Sequence, residues 1–486
     1  MNRPAPPPHL RLAGILLLAA LAVAPAVAPA ARAAQPTLDG PGALTLVSTQ
    51  QLDPRLSELT FSTPALTGPT SVRVLVPADY SSSNRRYPAL YLLNGAFGDE
   101  TDWTVQGDAE ALTAGLPVIV VMPDGGASGF YTDWSNFGGG GPPEYETYHI
   151  DELIPWIDAH FRTIATRGER GVAGLSMGGF GAFTYAARHP DLFGTAASFS
   201  GDLDTNDPPA VGEPDAALSD GALPLAAWGP YQLDQILWRA HDPWDLAENL
   251  RGLNLIIRTG NGLPGGPFPY NAAGGAAEAI VHEEATDMHN RLDALGIPST
   301  FQDYGPGDHS WPYWQRDLTL SLPEFMASFA DPPPAPAAVT FTAAEPAYEA
   351  YGWNVVIARR AMEFSTLENA TPGGFSLAGS GAGTVKTPAV YQPGATYPVA
   401  IGGTTHGVTA DSEGRLTISV PLGPANPLPE YAVPATTCVY TTAVSIAPAA
   451  GSPPPASRPP ACISVTLRVS LRTSAAVLLP PSAVGV

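Results

Sequence analysis

A serine set between glycines, in Gly174-Leu175-Ser176-Met177-Gly178-Gly179, is the stretch of this chain whose residue types and spacing could do chemistry. Upstream, Arg170 to Ala173 is short and β-compatible. Downstream, Phe180, Phe183, Ala186 and Ala187 fall at helical spacing before Pro190 ends the run. A strand, a sharp turn and a helix would lift the Ser176 hydroxyl clear of a sheet, and the glycines would let helix and strand pass close to a strained backbone. The chemistry is nucleophilic acyl transfer, which calls for no metal and no cofactor. The pentapeptide is weak by itself. With 50 glycines in 486 residues, Gly-x-Ser-x-Gly arises by chance roughly 0.3 times, so a base, an acid and an oxyanion hole must be found for it.

The base must be a histidine at neutral pH. His9 lies in the amino-terminal leader and His406 far downstream, while His160 and His189 fall at helix ends, and His282 and His289 within a predicted helix. His309 differs. It follows the loop Gly305-Pro306-Gly307-Asp308, which follows the strand-like Thr300 to Tyr304, and it comes late in the chain, as the order serine, acid, histidine requires.

The elements that would position these residues alternate. Apolar runs at Ala89 to Leu93, Val118 to Met122, Val172 to Ala173 and Leu253 to Ile257 read as strands, and Ile150 to Phe161 and Ala276 to Leu295 read as helices. Alternation of this kind implies a mostly parallel sheet covered on both faces, with ligands at the carboxyl ends of its strands. At Asp331-Pro332-Pro333-Pro334-Ala335-Pro336 the pattern gives way to a stiff linker. Beyond it the chain is rich in Thr, Val, Ser, Gly and Pro. Alternating runs at Leu416 to Val420 and Ile463 to Val469 predict a small β-sandwich. The expected organisation is a signal peptide over 1–34, a catalytic α/β domain over 37–330, a Pro-rich linker over 331–338 and a β-rich accessory domain over 339–486.

The signal peptide is read from Arg3 and Arg11 before the apolar run Leu12 to Val23, with Ala31-Arg32-Ala33 as a cleavage site. It predicts a secreted protein, with cell-wall association as a further expectation. In an oxidising compartment Cys438 and Cys462 are expected to form a disulfide around the Pro-rich loop Ser452 to Pro460. No later stretch is apolar enough for a membrane span. A net charge of −22, with Lys386 the single lysine, argues against nucleic acid and anionic surfaces as partners. Asp202-x-Asp204-x-Asn206, with Glu213 at the twelfth place, has part of a calcium-loop spacing, but Asp207 replaces the glycine at the sixth position, so a polar surface loop is the better reading.

Several ordered motifs then converge. Tyr91-Leu92-Leu93-Asn94-Gly95, Val121-Met122-Pro123-Asp124-Gly125-Gly126, Phe130-Tyr131-Thr132-Asp133-Trp134, the serine turn, Trp228-Gly229-Pro230 and Gly307-Asp308-His309-Ser310-Trp311-Pro312-Tyr313-Trp314 together resemble the esterase D-like family, and particularly its mycolyltransferase (antigen 85) branch. The likeness runs from about Leu44 to Ala330 and implies an α/β-hydrolase fold. By this resemblance Glu278 is the triad acid, with Glu283 and Glu284 as alternatives; Asp303 and Asp308 sit too close in sequence to His309 for an easy approach. The oxyanion hole is expected from the backbone N–H of Met177, the residue after the nucleophile, and by resemblance from that of Ala96. Asn94, Phe97, Trp103, Trp134, Trp311 and Trp314 are candidates to touch substrate, with core packing an equal alternative for the tryptophans.

The resulting expectation is a serine carboxylester hydrolase with a small-molecule, lipid or carbohydrate ester as substrate. Acyl transfer to a sugar or glycerol hydroxyl ranks second. Phe97 stands where the mycolyltransferase branch has an arginine near its acceptor sugar, which weakens trehalose as acceptor. A non-catalytic binding protein ranks third. For the β-rich domain, polymer binding, cell-wall attachment and stabilisation are all open, and truncation at Pro332 is expected to leave esterase activity intact.

Overall fold

A computed structural model of the chain describes residues 44–206, 222–432 and 437–449. The expected signal peptide, Glu213, Cys462 with its pairing to Cys438, the loop Ser452 to Pro460 and the strand at Ile463 to Val469 lie outside the described residues.

Three antiparallel strands that the sequence reading did not anticipate begin the described chain: β1 (Thr45–Gln51), β2 (Leu56–Ser62) and β3 (Thr70–Leu75). Six more strands follow: β4 (Ala89–Leu93), β5 (Ile119–Pro123), β6 (Arg170–Leu175), β7 (Thr195–Phe199), β8 (Asn254–Thr259) and β9 (Thr300–Asp303). All nine form one sheet in the order β1-β2-β3-β5-β4-β6-β7-β8-β9. It is a mixed sheet. From β5 to β9 the neighbours are parallel, and β3 meets β5 antiparallel.

The central strands show no polar alternation because both their faces are covered; every residue of β4, β5, β6 and β7 is buried. Successive side chains point to opposite faces, so Tyr91 and Val172 join one core with Phe180 and Phe183, while Leu90, Leu92 and Ala173 join another with Leu318, Leu322 and Phe325. The covering helices are α1 (Ile154–His160), α2 (Met177–Arg188), α3 (Tyr231–His241), α4 (Ala272–Leu295) and α5 (Trp311–Ala330). The expected helix at Ile150 to Phe161 divides, since Thr147–Leu153 is a π-helical stretch leading into α1. Asn271 caps α4, its side chain accepting from Ala273 N at 3.1 Å, and Gly296 closes it in the left-handed region at φ 66°. The whole arrangement is α/β-hydrolase-like.

From Val339 on, the described chain is antiparallel β-structure in two sheets. One contains β10 (Val339–Ala343), β13 (Ser365–Thr371), β14 (Gly374–Gly379), β16 (Thr396–Ile401), β17 (Thr404–Thr409) and β19 (Tyr440–Ile446). The other contains β11 (Ala347–Ala350), β12 (Trp353–Ala358), β15 (Gly381–Lys386) and β18 (Thr417–Leu422). Alternate burial along β18 marks one wet and one packed face. Both sheets feed one core, which includes Trp353, Leu377 and Val420.

This β region packs on the α/β region through buried polar groups. Arg188 at the end of α2 meets Glu146 at 2.7 Å and Glu345 at 2.7 Å. Asn249 exchanges two hydrogen bonds with the Thr342 backbone, each 2.8 Å, and Ala344 packs on Ile236 and Ala240 of α3. Burial alone would raise both carboxyls. The adjacent Arg188 guanidinium outweighs it and holds Glu146 and Glu345 below the usual carboxylate range.

Candidate active site

Ser176 stands at the end of β6 with φ 52° and ψ −125°, and α2 begins on the next residue. A non-glycine residue at such angles stores on the order of 1–3 kcal/mol of strain, which the surroundings must hold in place. They do so by close approach. A Cβ on Gly174 would lie 2.2 Å from the Gly178 carbonyl oxygen, and one on Gly178 would lie 2.5 Å from that of Leu93. Gly178→Ala should therefore push α2 away from the end of β4 and lower stability by about 3 kcal/mol; a denaturant midpoint equal to the parent's would refute the contact argument.

The loop after β9 brings His309 over this turn. Its Nε2 is 2.8 Å from Ser176 Oγ, and its Nδ1 is 2.9 Å from Glu278 Oε2. The backbone N–H of His309 donates to Gly274 O at 3.1 Å, and the preceding Asp308, fully buried, accepts from Asn271 N and Ser310 Oγ, which fastens the loop to the start of α4. That engagement removes Asp308 as a partner for the imidazole. Trp314 packs edge-on against the His309 ring, with centroids 4.9 Å apart at 90°.

Glu278 lies on α4 with no exposed surface. Its Oε1 accepts from Gly260 N at 2.7 Å, Ser200 Oγ at 2.8 Å and Thr259 Oγ1 at 3.1 Å, leaving Oε2 for His309. Three donors offset the cost of burying a charge there. None of these three residues was anticipated, because nothing in their types marks them. They are found only by noting that the acid must be held at the carboxyl ends of β7 and β8. Of the alternatives, Glu283 is exposed, and Glu284 is hydrogen-bonded to Asp202.

The Met177 N–H is the first of α2 and so has no carbonyl four residues back to bond. Among the described residues neither it nor the Ala96 N–H has an acceptor, and both residues line the same cavity as Ser176 and His309. This cavity measures about 460 Å³ and is walled by Leu175, Phe130, Ile280, Val281 and Trp314 among others. Three expected contact residues, Phe97, Trp311 and Trp314, line it.

The other three do not. Asn94 is fully buried and ties loops together: its Oδ1 accepts from Gly125 N at 2.9 Å and from Tyr131 Oη at 3.1 Å, and its Nδ2 donates to Gly95 O. Trp103 is packed under the sheet's end, its Nε1–H donating to Leu93 O at 2.9 Å. Trp134 lies in the core on the other face and donates to Gly129 O at 3.1 Å. In each case the polar atom that could have met a substrate is taken by the backbone of the loops that shape the cavity.

With this geometry in view, comparison with known proteins gives a family. The sequence model of the esterase family, described as putative esterase, matches residues 63–325. The chain belongs to this esterase family. Esterase Rv1288 of Mycobacterium tuberculosis is 37% identical over 276 residues, 56% of this chain and 59% of that protein, so the chain spans about three-fifths of that relative's length. Diacylglycerol acyltransferase/mycolyltransferase Ag85B of Mycolicibacterium smegmatis is 31% identical over 263 residues, 51% of this chain and 79% of that protein. The crystal structure of MPT51 (FbpC1) from Mycobacterium tuberculosis is similar over 58% of this chain and 99% of that one, at 25% identity and a TM-score of 0.46. Among these esterase relatives both hydrolysis and acyl transfer are named, and the choice between them falls to the chemistry of the cavity.

Proposed function

We propose that the chain is a carboxylester hydrolase acting through an acyl-enzyme on Ser176. The observation that carries this reading is the unbroken hydrogen-bonded line from Ser176 Oγ through His309 to Glu278, ending in an apolar cavity beside two unused backbone donors. In this reading His309 Nε2 takes the Ser176 proton as Oγ attacks the ester carbonyl. Glu278, accepting from Nδ1, fixes the tautomer and stabilises the imidazolium. The Met177 and Ala96 N–H groups receive the oxyanion; one such donor is worth about 3 kcal/mol in the transition state. His309 then gives its proton to the departing alcohol, and water, activated by the same histidine, releases the acid.

Transfer of the acyl group to a hydroxyl is the second reading, favoured by the acyltransferase name of one relative. It uses the same steps with an alcohol in place of water. We assign the α/β region to catalysis and the β region to support of it, and Met1 to Ala34 to export.

A fluorophosphonate should phosphonylate Ser176 stoichiometrically and halt turnover of a short-chain nitrophenyl ester. Peptide mass mapping reads the site, and label elsewhere with full loss of activity would defeat the proposal. Product analysis with glycerol or trehalose present separates the two readings, since free acid alone excludes transfer to those acceptors.

A further inference from the structure

Besides Asp102, two carboxyls that the proposed acyl transfer leaves unused stand in the cavity wall with Ser176 and His309 and lie in contact with each other. They are Asp202, on the loop after β7, and Glu284, on α4 six residues beyond Glu278. Glu284 is only 4% exposed, and the two side chains are hydrogen-bonded to each other. Apart from that mutual contact, Asp202 Oδ1 and Glu284 Oε2 are buried and have no hydrogen-bond donor among the described groups.

Two carboxylates in contact repel, and the wall around them includes Phe130, Ile280 and Val281 and no lysine or arginine. A proton must therefore be shared between them. Burial first, then the neighbouring charge of Asp202, pushes Glu284 far above the usual carboxylate range, so Glu284 is the protonated partner. Asp204 and Asp242 add further negative potential behind it. The pair thus holds negative charge in the cavity wall, on oxygens to which no other described group donates.

Its place relative to the reaction follows from His309. The alcohol of an ester leaves by taking its proton from the imidazole Nε2, so groups around that ring face the alcohol moiety. Asp202 and Glu284 line the same cavity as that ring. We infer that Asp202 and Glu284 form the subsite that accepts a hydroxyl of the substrate's alcohol moiety and turns away alcohols bearing an anionic group. This rests on Ser176 being the nucleophile. Should the enzyme transfer acyl groups, the same subsite would receive the incoming polyol.

The test compares kcat/KM for three acetate esters, of glycerol, of 1-propanol and of 3-hydroxypropanoate. The parent protein should prefer the glycerol ester over the propyl ester by about tenfold, the worth of one hydrogen bond to a charged acceptor, and disfavour the carboxylate ester by at least as much. Combining Asp202→Asn with Glu284→Gln should relieve the rejection of the carboxylate ester. Combining Asp202→Leu with Glu284→Met should bring the glycerol-to-propyl ratio towards one. Glu284→Gln alone keeps a donor aimed at Asp202 and should retain both preferences. If the Leu/Met combination does not fold, Asp202→Asn alone carries the charge test. Parent-like ratios in the double variants, or loss of both preferences in Glu284→Gln, would overturn the inference. Ester turnover that survives Ser176→Ala would instead overturn the nucleophile assignment.

Discussion

Ser176→Ala is expected to lower kcat for a short-chain ester by at least about 10⁴-fold while KM moves little. The variant keeps the cavity walls and both backbone donors but loses the atom that, in the proposed reaction, forms the acyl-enzyme. Residues of such a group act as a unit, so removing the nucleophile costs nearly as much as removing all of them, and what remains is binding and oxyanion stabilisation. The substitution also tests geometry, because Ser176 holds its φ of 52° through neighbours rather than through its own hydroxyl; the variant should fold normally. Glu278→Gln should cost about 10³- to 10⁴-fold, since the donors around Oε1 select the glutamine's carbonyl oxygen, its NH2 then faces Nδ1, and the imidazole is held in the wrong tautomer with no charge to stabilise the imidazolium. Burst kinetics on a nitrophenyl ester read both. A Ser176→Ala protein within tenfold of the parent would end the serine-enzyme reading.

The second large effect concerns stability. Arg188→Ala should destabilise the protein by roughly 3–5 kcal/mol, the usual result of stripping the counter-charge from buried carboxylates. Glu146 is left with His189, at 2.7 Å, and His241, at 4.0 Å, and Glu345 loses its ion-pair partner. The pH dependence of the Glu345 contribution should change sign. In the parent, Glu146 and Glu345 titrate below their unfolded values, so they contribute stability above the ordinary carboxylate range, and that contribution is lost as the pH falls through their depressed folded values. Without Arg188, burial raises Glu345, while Glu146 keeps His189, so Glu345 takes up a proton on folding and its contribution should decline as the pH rises through the carboxylate range. Denaturant midpoints at pH 4 and pH 7 for parent and variant check this, and parallel profiles would refute it. The same contacts bear on truncation at Pro332, which removes Glu345, Ala344 and both Thr342 bonds. The shortened protein should be less stable even where its activity survives.

Much of this molecule could be read from residue types. Buried parallel strands announce themselves as unbroken apolar runs, so β4 was placed at Ala89–Leu93, the bounds the structure gives. Ser176 and His309 were legible because glycine spacing and chain order constrain them strongly. Glu278 was reached by resemblance alone, since one carboxylate on a 24-residue helix has no periodicity to distinguish it. The antiparallel strands β1 to β3 were missed. All of β1 is exposed, so its sequence lacks the apolar signal that marks a strand. Asn94, Trp103 and Trp134 were expected to touch substrate and are buried. A residue's type states what it can bond, and which side of a loop it faces depends on packing that no single segment encodes. For the same reason the Asp202–Glu284 contact was invisible, joining positions 82 apart that meet only when β7 and α4 pack.

The docking of the β region has one more consequence. Ala344 rests on α3, whose Trp238 packs on Trp228 with centroids 4.9 Å apart, and Trp228 packs in turn on Phe130 at 5.3 Å. Phe130 is a wall of the cavity. The β region is therefore a buttress standing three aromatic rings behind the cavity, and a foreign β-sandwich grafted at Pro332 would have to reproduce its footing on α3 before the cavity kept its shape.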